Sequence, residues 1–246
     1  MLNSTGKIAL VTGASRGIGA AVSHRLAERG VDIVVNYRSK APRAEAVAET
    51  IQRLGRRAVL AQADITQESD VNGMIQIVKD QFSHLDYLIL NASGGLEKDK
   101  PADYAMMLNL TAQEQLVDRT IPLMQPGGRI VFVTSHLAHF YGQKPVHGLY
   151  EPVAASKQAG EQALRRRIPE LTDKGISLIV VSGDLIEGTI TPKLMERSSP
   201  GLIEARREQA GVLPTVEEFA RAIAEACVDP ARSSGETVFV GSTDWE

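Results

Sequence analysis

Short apolar runs alternate with longer helical stretches along almost the whole chain, and this alternation limits the folds that the sequence can adopt. Strands separated by helices pair in parallel, because each helix returns the chain to the same end of the sheet. The runs are nearly continuous in Val, Ile and Leu, as expected of strands covered by helices on both faces. We therefore predict an α/β fold, a single-domain Rossmann-type doubly wound parallel sheet of about seven strands, at Ile8–Val11, Asp32–Val35, Ala58–Ala61, Tyr87–Leu90, Arg129–Val133, Ser177–Val181 and Thr237–Val240.

The composition is typical of one such domain spanning residues 1–246. The chain is 43% hydrophobic and 23% charged, which is enough to fill one core. A net charge of -3 gives no reason to expect nucleic acid or an anionic membrane as partner, and favours a small-molecule substrate. Cys227 is the single cysteine, and the sequence shows neither a signal-like start nor an apolar run near the roughly 20 residues of a membrane helix. We expect a cytoplasmic protein.

A glycine-rich turn follows the first predicted strand and opens a helical pattern. Glycine lets the backbone turn tightly and approach a pyrophosphate, and the following helix offers free N–H groups and the positive end of its dipole. Glycine clusters also mark ordinary turns, which is the alternative interpretation of this motif alone. The predicted ligand is a dinucleotide bound by Gly13, Ser15, Arg16, Gly17, Ile18 and Gly19.

The residues after the second strand favour NADP(H) over NAD(H). An acidic side chain there would bind the ribose hydroxyls of NAD, but this chain has the basic stretch Asn36–Lys40. A 2′-phosphate carries nearly two negative charges, so Arg38 would bind it with help from Arg16 and the hydroxyl of Ser39. A solvated surface arginine is the alternative role for Arg38.

From about Gly6 to Gly241 the chain resembles the short-chain dehydrogenase/reductase family. The glycine-rich turn matches that family's cofactor signature, and the segments Ala63–Ile65 and Leu90–Gly94 match later motifs in the same order, although Leu90 and Ser93 depart from the pattern. The resemblance implies that Asp64 and Ile65 contact adenine and that Asn91 and Ala92 contact the cofactor; a capping role is the alternative for Asp64.

The family usually places a catalytic tyrosine four residues before a lysine, and here that position is Val153 before Lys157. Valine cannot transfer a proton. Tyr150 lies seven residues before Lys157, and seven steps of about 100° return to nearly the same helical face. We predict that a helix begins at Pro152, with Tyr150 just outside its first turn on an extended chain. This spacing resembles the enoyl-acyl-carrier-protein reductases, a divergent branch of the family, whereas the cofactor turn resembles the 3-oxoacyl reductases.

The resemblance also assigns roles around the predicted strand ends. Ser135 matches the serine that hydrogen-bonds the substrate oxygen, Asn109 the asparagine that anchors a proton-relay water, and Lys157 the lysine that also holds the nicotinamide ribose. A cap at the strand end is the alternative for Ser135, and a helix kink is the alternative for Asn109. Thr189 is a looser match to a residue that contacts the cofactor. The stretch between Ser135 and Lys157 is longer than is usual in the family and supplies other candidate acids or pocket walls: His136, His139, Tyr141 and His147. No metal site is predicted, since their spacing is irregular.

The segment of about residues 183–214 follows the sixth strand and is placed to cover a substrate. Within it, Asp184 and Glu187 could bind a polar substrate or face water. A capping box of Thr215 and Glu218 then predicts a helix to about Ala226.

We therefore expect an NADP(H)-dependent enzyme that reduces a carbonyl group of a small-molecule or acyl substrate, with Asn109, Ser135, Tyr150 and Lys157 at the catalytic site. An enoyl reductase is one alternative. A non-catalytic NADP-binding regulatory or scaffold protein is another, because Val153 replaces the usual acid. The resemblance also implies a homo-oligomer, either a dimer or a tetramer.

Overall fold

The computed structural model describes residues 4–97 and 99–244. Seven parallel strands form one sheet in the order β3-β2-β1-β4-β5-β6-β7, which confirms the predicted fold class. The strands are β1 (Ile8–Val11), β2 (Asp32–Tyr37), β3 (Ala58–Gln62), β4 (Leu85–Leu90), β5 (Met124–Ser135), β6 (Ser177–Gly183) and β7 (Thr237–Val240).

Helices connect these strands on both faces of the sheet. They are α1 (Gly17–Ala27), α2 (Ala41–Arg53), α3 (Glu68–Phe82), α4 (Tyr104–Met106), α5 (Ala112–Thr120), α6 (His136–His139), α7 (Glu151–Arg166), α8 (Ile168–Asp173), α9 (Ile190–Ser198), α10 (Leu202–Ala210) and α11 (Val216–Val228). A π-helical turn, Met107–Thr111, joins α4 to α5. No helix within the described ranges is both long and apolar enough to cross a membrane.

Two apolar cores lie on opposite faces of the sheet, because successive strand side chains point to opposite sides. Leu10 and Ile130 belong to the core beneath α3, α5 and α7, whereas Val11 and Val131 belong to the core beneath α1, α2 and α11. The nearly continuous apolar strands therefore have the two-sided burial that their composition predicts.

Strand β5 differs most from its prediction. It begins at Met124 rather than Arg129, and its pairing with β4 shifts register between Leu85 and Tyr87. Pro126, Gly127 and Gly128 lie in the added part, and such residues ordinarily indicate a turn. Because this part of β5 pairs irregularly with β4, it can contain turn-forming residues and still extend the strand at its amino-terminal end.

Two features of the topology position the site. The chain passes from β3 at one edge back to β4 beside β1, and this change of direction opens a crevice at the carboxyl ends of the strands. Segment 183–214 forms α9 and α10, and the predicted capping box at Thr215 and Glu218 follows it at the start of α11. Helix α11 ends at Val228, two residues beyond the predicted end.

Candidate active site

A cleft of about 820 Å³ lies at the carboxyl ends of the strands. The site residues predicted from sequence line this cleft, with the exception of Asn109. They are Gly13, Ser15, Arg16, Gly17, Ile18, Gly19, Arg38, Ser39, Asp64, Ile65, Asn91, Ala92, Ser135, Tyr150, Lys157 and Thr189.

The glycine-rich turn is shaped to admit a ligand close to its backbone. Gly13 and Gly17 have positive φ angles of 64° and 55°, which side-chain-bearing residues rarely adopt. A Cβ atom on Gly19 would lie 2.5 Å from the carbonyl oxygen of Gly13. Helix α1 begins at Gly17 with no side-chain cap, so its first N–H groups face the cleft without an internal partner. These observations fit the pyrophosphate of a dinucleotide.

Buried polar side chains hold this turn in place. The Thr12 hydroxyl accepts hydrogen bonds from the backbone N–H groups of Asn91 and Ala92, each at 2.9 Å. The Asn91 amide donates to the carbonyl oxygen of Thr12 at 2.8 Å, and the Asn36 amide oxygen accepts from the N–H of Gly13 at 3.2 Å. Asn91 therefore bonds the turn itself. The sequence does not predict these hydrogen bonds of Thr12 and Asn36, because each bond joins residues at the ends of different strands.

The end of the cleft beside β2 is strongly basic. Arg16, Arg38, Lys40 and Arg43 all line it, and the last two were not among the predicted cofactor residues. Lys40 precedes α2 with a φ angle of 68°, which turns the chain sharply there. Four cations around one pocket are suited to a phosphate group.

Asp64 stands opposite this basic group. Its Oδ1 accepts hydrogen bonds from the Thr66 N–H at 3.0 Å and the Thr66 hydroxyl at 2.7 Å, and its Oδ2 lies 4.0 Å from Nη1 of Arg38. These bonds close a turn before α3 without capping that helix, and the Asp64 side chain borders the cleft.

Ser135 and Tyr150 meet at the other end of the cleft. Their hydroxyl oxygens lie 3.0 Å apart, and the Tyr150 side chain is buried against Val153, Leu185 and Met195. Tyr150 ends a short 3-10 turn directly before α7, which begins at Glu151 and has Pro152 in its first turn. The predicted extended chain at Tyr150 is wrong, because the 3-10 turn leads directly into the helix. Burial raises the pKa of Tyr150, and the Ser135 hydroxyl opposes that shift.

Lys157 lies two helical turns beyond Tyr150 and is buried at the cleft wall. Burial lowers the pKa of its ammonium group to about 8, and the negative charge of Glu161 opposes the shift. The Glu161 carboxylate is itself buried, with His139 at 2.9 Å and Arg165 at 2.8 Å. Val153, on the same helix as Lys157, is also buried.

A family model described as short chain dehydrogenase matches residues 7–198, most of the chain. The chain belongs to the short-chain dehydrogenase/reductase family. Among its relatives is hydroxynaphthalene reductase arp2 of Aspergillus fumigatus, 34% identical over 205 residues that cover 80% of this chain and 72% of that protein.

Solved structures of family members superpose over nearly the whole chain. LugOII, a promiscuous reductase that catalyses keto-reduction at C1 during lugdunomycin biosynthesis, is 28% identical with a TM-score of 0.82 and covers 97% of this chain and 98% of its own. The angucycline C-6 ketoreductase LanV with bound NADP is 29% identical with a TM-score of 0.81, covering 98% and 96% of the two chains. Both structures therefore share the fold of this chain.

Asn109 lies behind the wall of this short-chain dehydrogenase cleft, on the π-helical turn. Its side-chain amide donates to the Gly94 carbonyl oxygen at 2.9 Å and to the Ser156 hydroxyl at 3.0 Å. Its backbone carbonyl faces α7 so closely that a Cβ atom on Gly160 would lie 2.1 Å from it. The Asn109 side chain thus connects the loop after β4 to the helix that carries Lys157.

The other candidate acids point away from the cleft. His136 bonds the Ser182 hydroxyl at 2.8 Å, and burial lowers its pKa to about 4. His139 bonds Glu161 at 2.9 Å, His147 bonds the Ser199 hydroxyl at 2.6 Å, and Tyr141 donates to Glu151 at 3.3 Å. None of the four lines the cleft.

The loop after β6 and helix α9 line the cleft beside the turn that carries Tyr150, and α10 packs against α9; together they form a cover over this end of the cleft. Asp184 does not face water: it forms a buried ion pair with Arg206 of α10 at 2.8 Å, and Arg206 also donates to the Ser242 carbonyl oxygen at 2.9 Å. Glu187 pairs with Arg207 at 2.8 Å on the surface. The first pair fastens α10 to the end of β6, a contact that sequence spacing could not indicate.

Proposed function

We propose that this chain is an NADPH-dependent reductase of uncharged ring ketones, with Tyr150 as the proton donor. The observation that carries the proposal is the Ser135–Tyr150 pair, 3.0 Å apart in a cleft that also contains a glycine-rich phosphate turn and Lys157. Bound NADPH supplies the hydride for such a reaction.

The protein's own side chains bind the substrate, donate the proton and hold the cofactor. The Ser135 and Tyr150 hydroxyl groups are close enough to bind one carbonyl oxygen together, which polarises the carbonyl group. As negative charge develops on that oxygen, the Tyr150 hydroxyl donates its proton to it. The Lys157 ammonium favours the resulting tyrosinate by its positive charge and, by the family resemblance, holds the nicotinamide ribose. We assign the glycine turn and α1 to the pyrophosphate, Asp64, Ile65, Asn91, Ala92 and Thr189 to other parts of the cofactor, and the Arg38 end to the 2′-phosphate.

The wall around Tyr150 favours an apolar ring as substrate. Leu96, Leu137, Val153 and Leu185 line the cleft there. Such a surface binds flat or cyclic hydrocarbon frames and leaves specificity to a few polar atoms. Relatives named for hydroxynaphthalene reduction and keto-reduction support the same substrate class.

A direct test follows NADPH absorbance with purified protein and a panel of bicyclic aromatic ketones, aliphatic diketones, 3-oxoacyl thioesters and enoyl thioesters. We expect turnover of the ring ketones. Turnover of enoyl thioesters alone would instead support the enoyl reductase that the Tyr150–Lys157 spacing resembles. Tight NADPH binding without turnover of any carbonyl compound would support the non-catalytic alternative.

We also propose a homo-oligomer, as the family resemblance implies. Size-exclusion chromatography with light scattering distinguishes a monomer, a dimer and a tetramer, and a monomer at micromolar concentration would contradict the proposal.

A further inference from the structure

Arg38 is held by a residue from a distant part of the chain. Its Nη1 donates a hydrogen bond to the phenol oxygen of Tyr104 at 2.7 Å, although the two residues are 66 positions apart. Tyr104 begins α4, is 4% exposed and lines the cleft beside the basic group. The Arg38 side chain, by contrast, is 48% exposed and has no such packing to fix it.

A second group competes for the same guanidinium. The Asp64 carboxylate is 4.0 Å from Arg38 Nη1, a loose contact in comparison with the bond to Tyr104. A full ion pair with Asp64 would neutralise the positive charge of Arg38. A phenol is neutral, so its hydrogen bond orients the guanidinium without cancelling its charge. A guanidinium has five N–H donors, and the others are left for a ligand.

The surroundings of Tyr104 keep it in this neutral, fixed state. Burial raises the pKa of the Tyr104 phenol, against the opposing charge of Arg38, so the hydroxyl stays protonated at physiological pH. The ammonium group of Lys100 lies 4.9 Å from the centre of the Tyr104 ring and adds a further cation near the same end of the cleft.

We infer that Tyr104 is a positioning residue for the cofactor's 2′-phosphate: its hydroxyl group holds Arg38 away from Asp64 so that the guanidinium charge is directed at that phosphate. The inference rests on the proposed NADPH preference and deepens it. It predicts that the Tyr104 hydroxyl increases the affinity for ligands that carry a 2′-phosphate. The affinity for otherwise identical ligands without that phosphate should not depend on it.

The experiment measures binding of 2′,5′-ADP and 5′-AMP by isothermal titration calorimetry. These probes differ only in the 2′-phosphate and contain no nicotinamide, so binding is separated from catalysis. The variants are Tyr104→Phe, Arg38→Ala and the double variant. Tyr141→Phe is the matched control, since its hydroxyl bonds Glu151 outside the cleft.

We expect Tyr104→Phe to weaken 2′,5′-ADP about fivefold and Arg38→Ala to weaken it at least about tenfold, consistent with hydrogen bonds to charged groups. Neither change should alter 5′-AMP affinity, and Tyr141→Phe should alter neither ligand. Adding Tyr104→Phe to Arg38→Ala should cause no further loss, because Tyr104 acts through Arg38.

Three results would overturn the inference while the NADPH preference stands: unchanged 2′,5′-ADP binding in Tyr104→Phe, an equal loss for both ligands, or an additive loss in the double variant. The last would mean that Tyr104 contacts the phosphate directly. If the unmodified protein binds the two ligands equally and Arg38→Ala has no effect, the proposed cofactor preference is itself wrong, and the inference with it.

Discussion

Tyr150→Phe removes one oxygen atom from the candidate site and leaves the ring in its apolar surroundings. The hydroxyl that is lost lies 3.0 Å from the Ser135 hydroxyl. General acid catalysis by a positioned side chain contributes about 10²–10⁴ in rate. At 1.36 kcal/mol for each factor of ten, this equals about 2.7–5.4 kcal/mol of transition-state free energy.

The same change should cost little stability. One hydrogen bond is lost, worth about 1 kcal/mol. The Ser135 hydroxyl still accepts from the N–H of Ala138 at 3.3 Å, so it keeps a partner in the variant. Tyr150→Phe should therefore lower the rate of turnover much more than the free energy of unfolding.

The assay is single-turnover reduction of a bicyclic aromatic ketone such as 1-tetralone by enzyme saturated with NADPH. We expect Tyr150→Phe to bind NADPH with unchanged affinity and to reduce the ketone at least about 10²-fold more slowly. Tyr141→Phe serves as the control, since its hydroxyl bonds Glu151 outside the cleft. If Tyr150→Phe stays within about threefold of the parent, Tyr150 is not the proton donor; a large loss in Tyr141→Phe alone would transfer the role to Tyr141.

Four further changes test other parts of the molecule. Because burial lowers the pKa of Lys157 to about 8, reduction should fall as pH rises through about 8, where the ammonium deprotonates; a rate unchanged up to pH 10 would refute its electrostatic role. Lys157→Ala should lower turnover at least about 10²-fold and weaken NADPH binding in fluorescence titrations, whereas loss of only one of the two would disprove the dual role. Arg38→Asp should reverse an NADPH preference of at least about tenfold, measured by the same titration. Arg206→Met leaves Asp184 buried without its partner and should lower the free energy of unfolding by about 3–5 kcal/mol in urea denaturation; an unchanged midpoint would show that the pair does not stabilise the cover.

Local patterns in the sequence predict the sheet well because each strand carries its own signal. The apolar runs locate all seven strands, and β1 and β7 have the predicted bounds. The sequence pattern predicts too short a strand β5, since its first residues pair irregularly with β4 and contain turn-forming residues. Whether such residues extend a strand depends on the neighbouring strand, which local composition does not reveal.

In the candidate site, too, local sequence patterns predict some of the contacts, and others form only between residues far apart in the chain. Helical geometry alone suggests that Tyr150 and Lys157 share a face, and the structure adds the bond from Tyr150 to Ser135. The bond from Arg38 to Tyr104 joins a strand end to a helix start far along the chain. No periodicity relates these two residues, so only the folded chain brings them together.

The candidate proton donor is attached to the cover of the cleft as well as to the sheet. His147, on the turn that leads to Tyr150, bonds Ser199 at the end of α9, and Tyr150 packs in the same cluster as Met195 and Leu213. Movement of α9 away from the cleft would pull on this turn and displace the Tyr150 hydroxyl from Ser135. The phosphate turn and the basic residues follow β1 and β2 instead, so we expect a cofactor to bind there without disturbing the acid. Closure over a substrate would then assemble the acid only when a ketone is in place, which favours an ordered sequence in which the nucleotide binds first and leaves last.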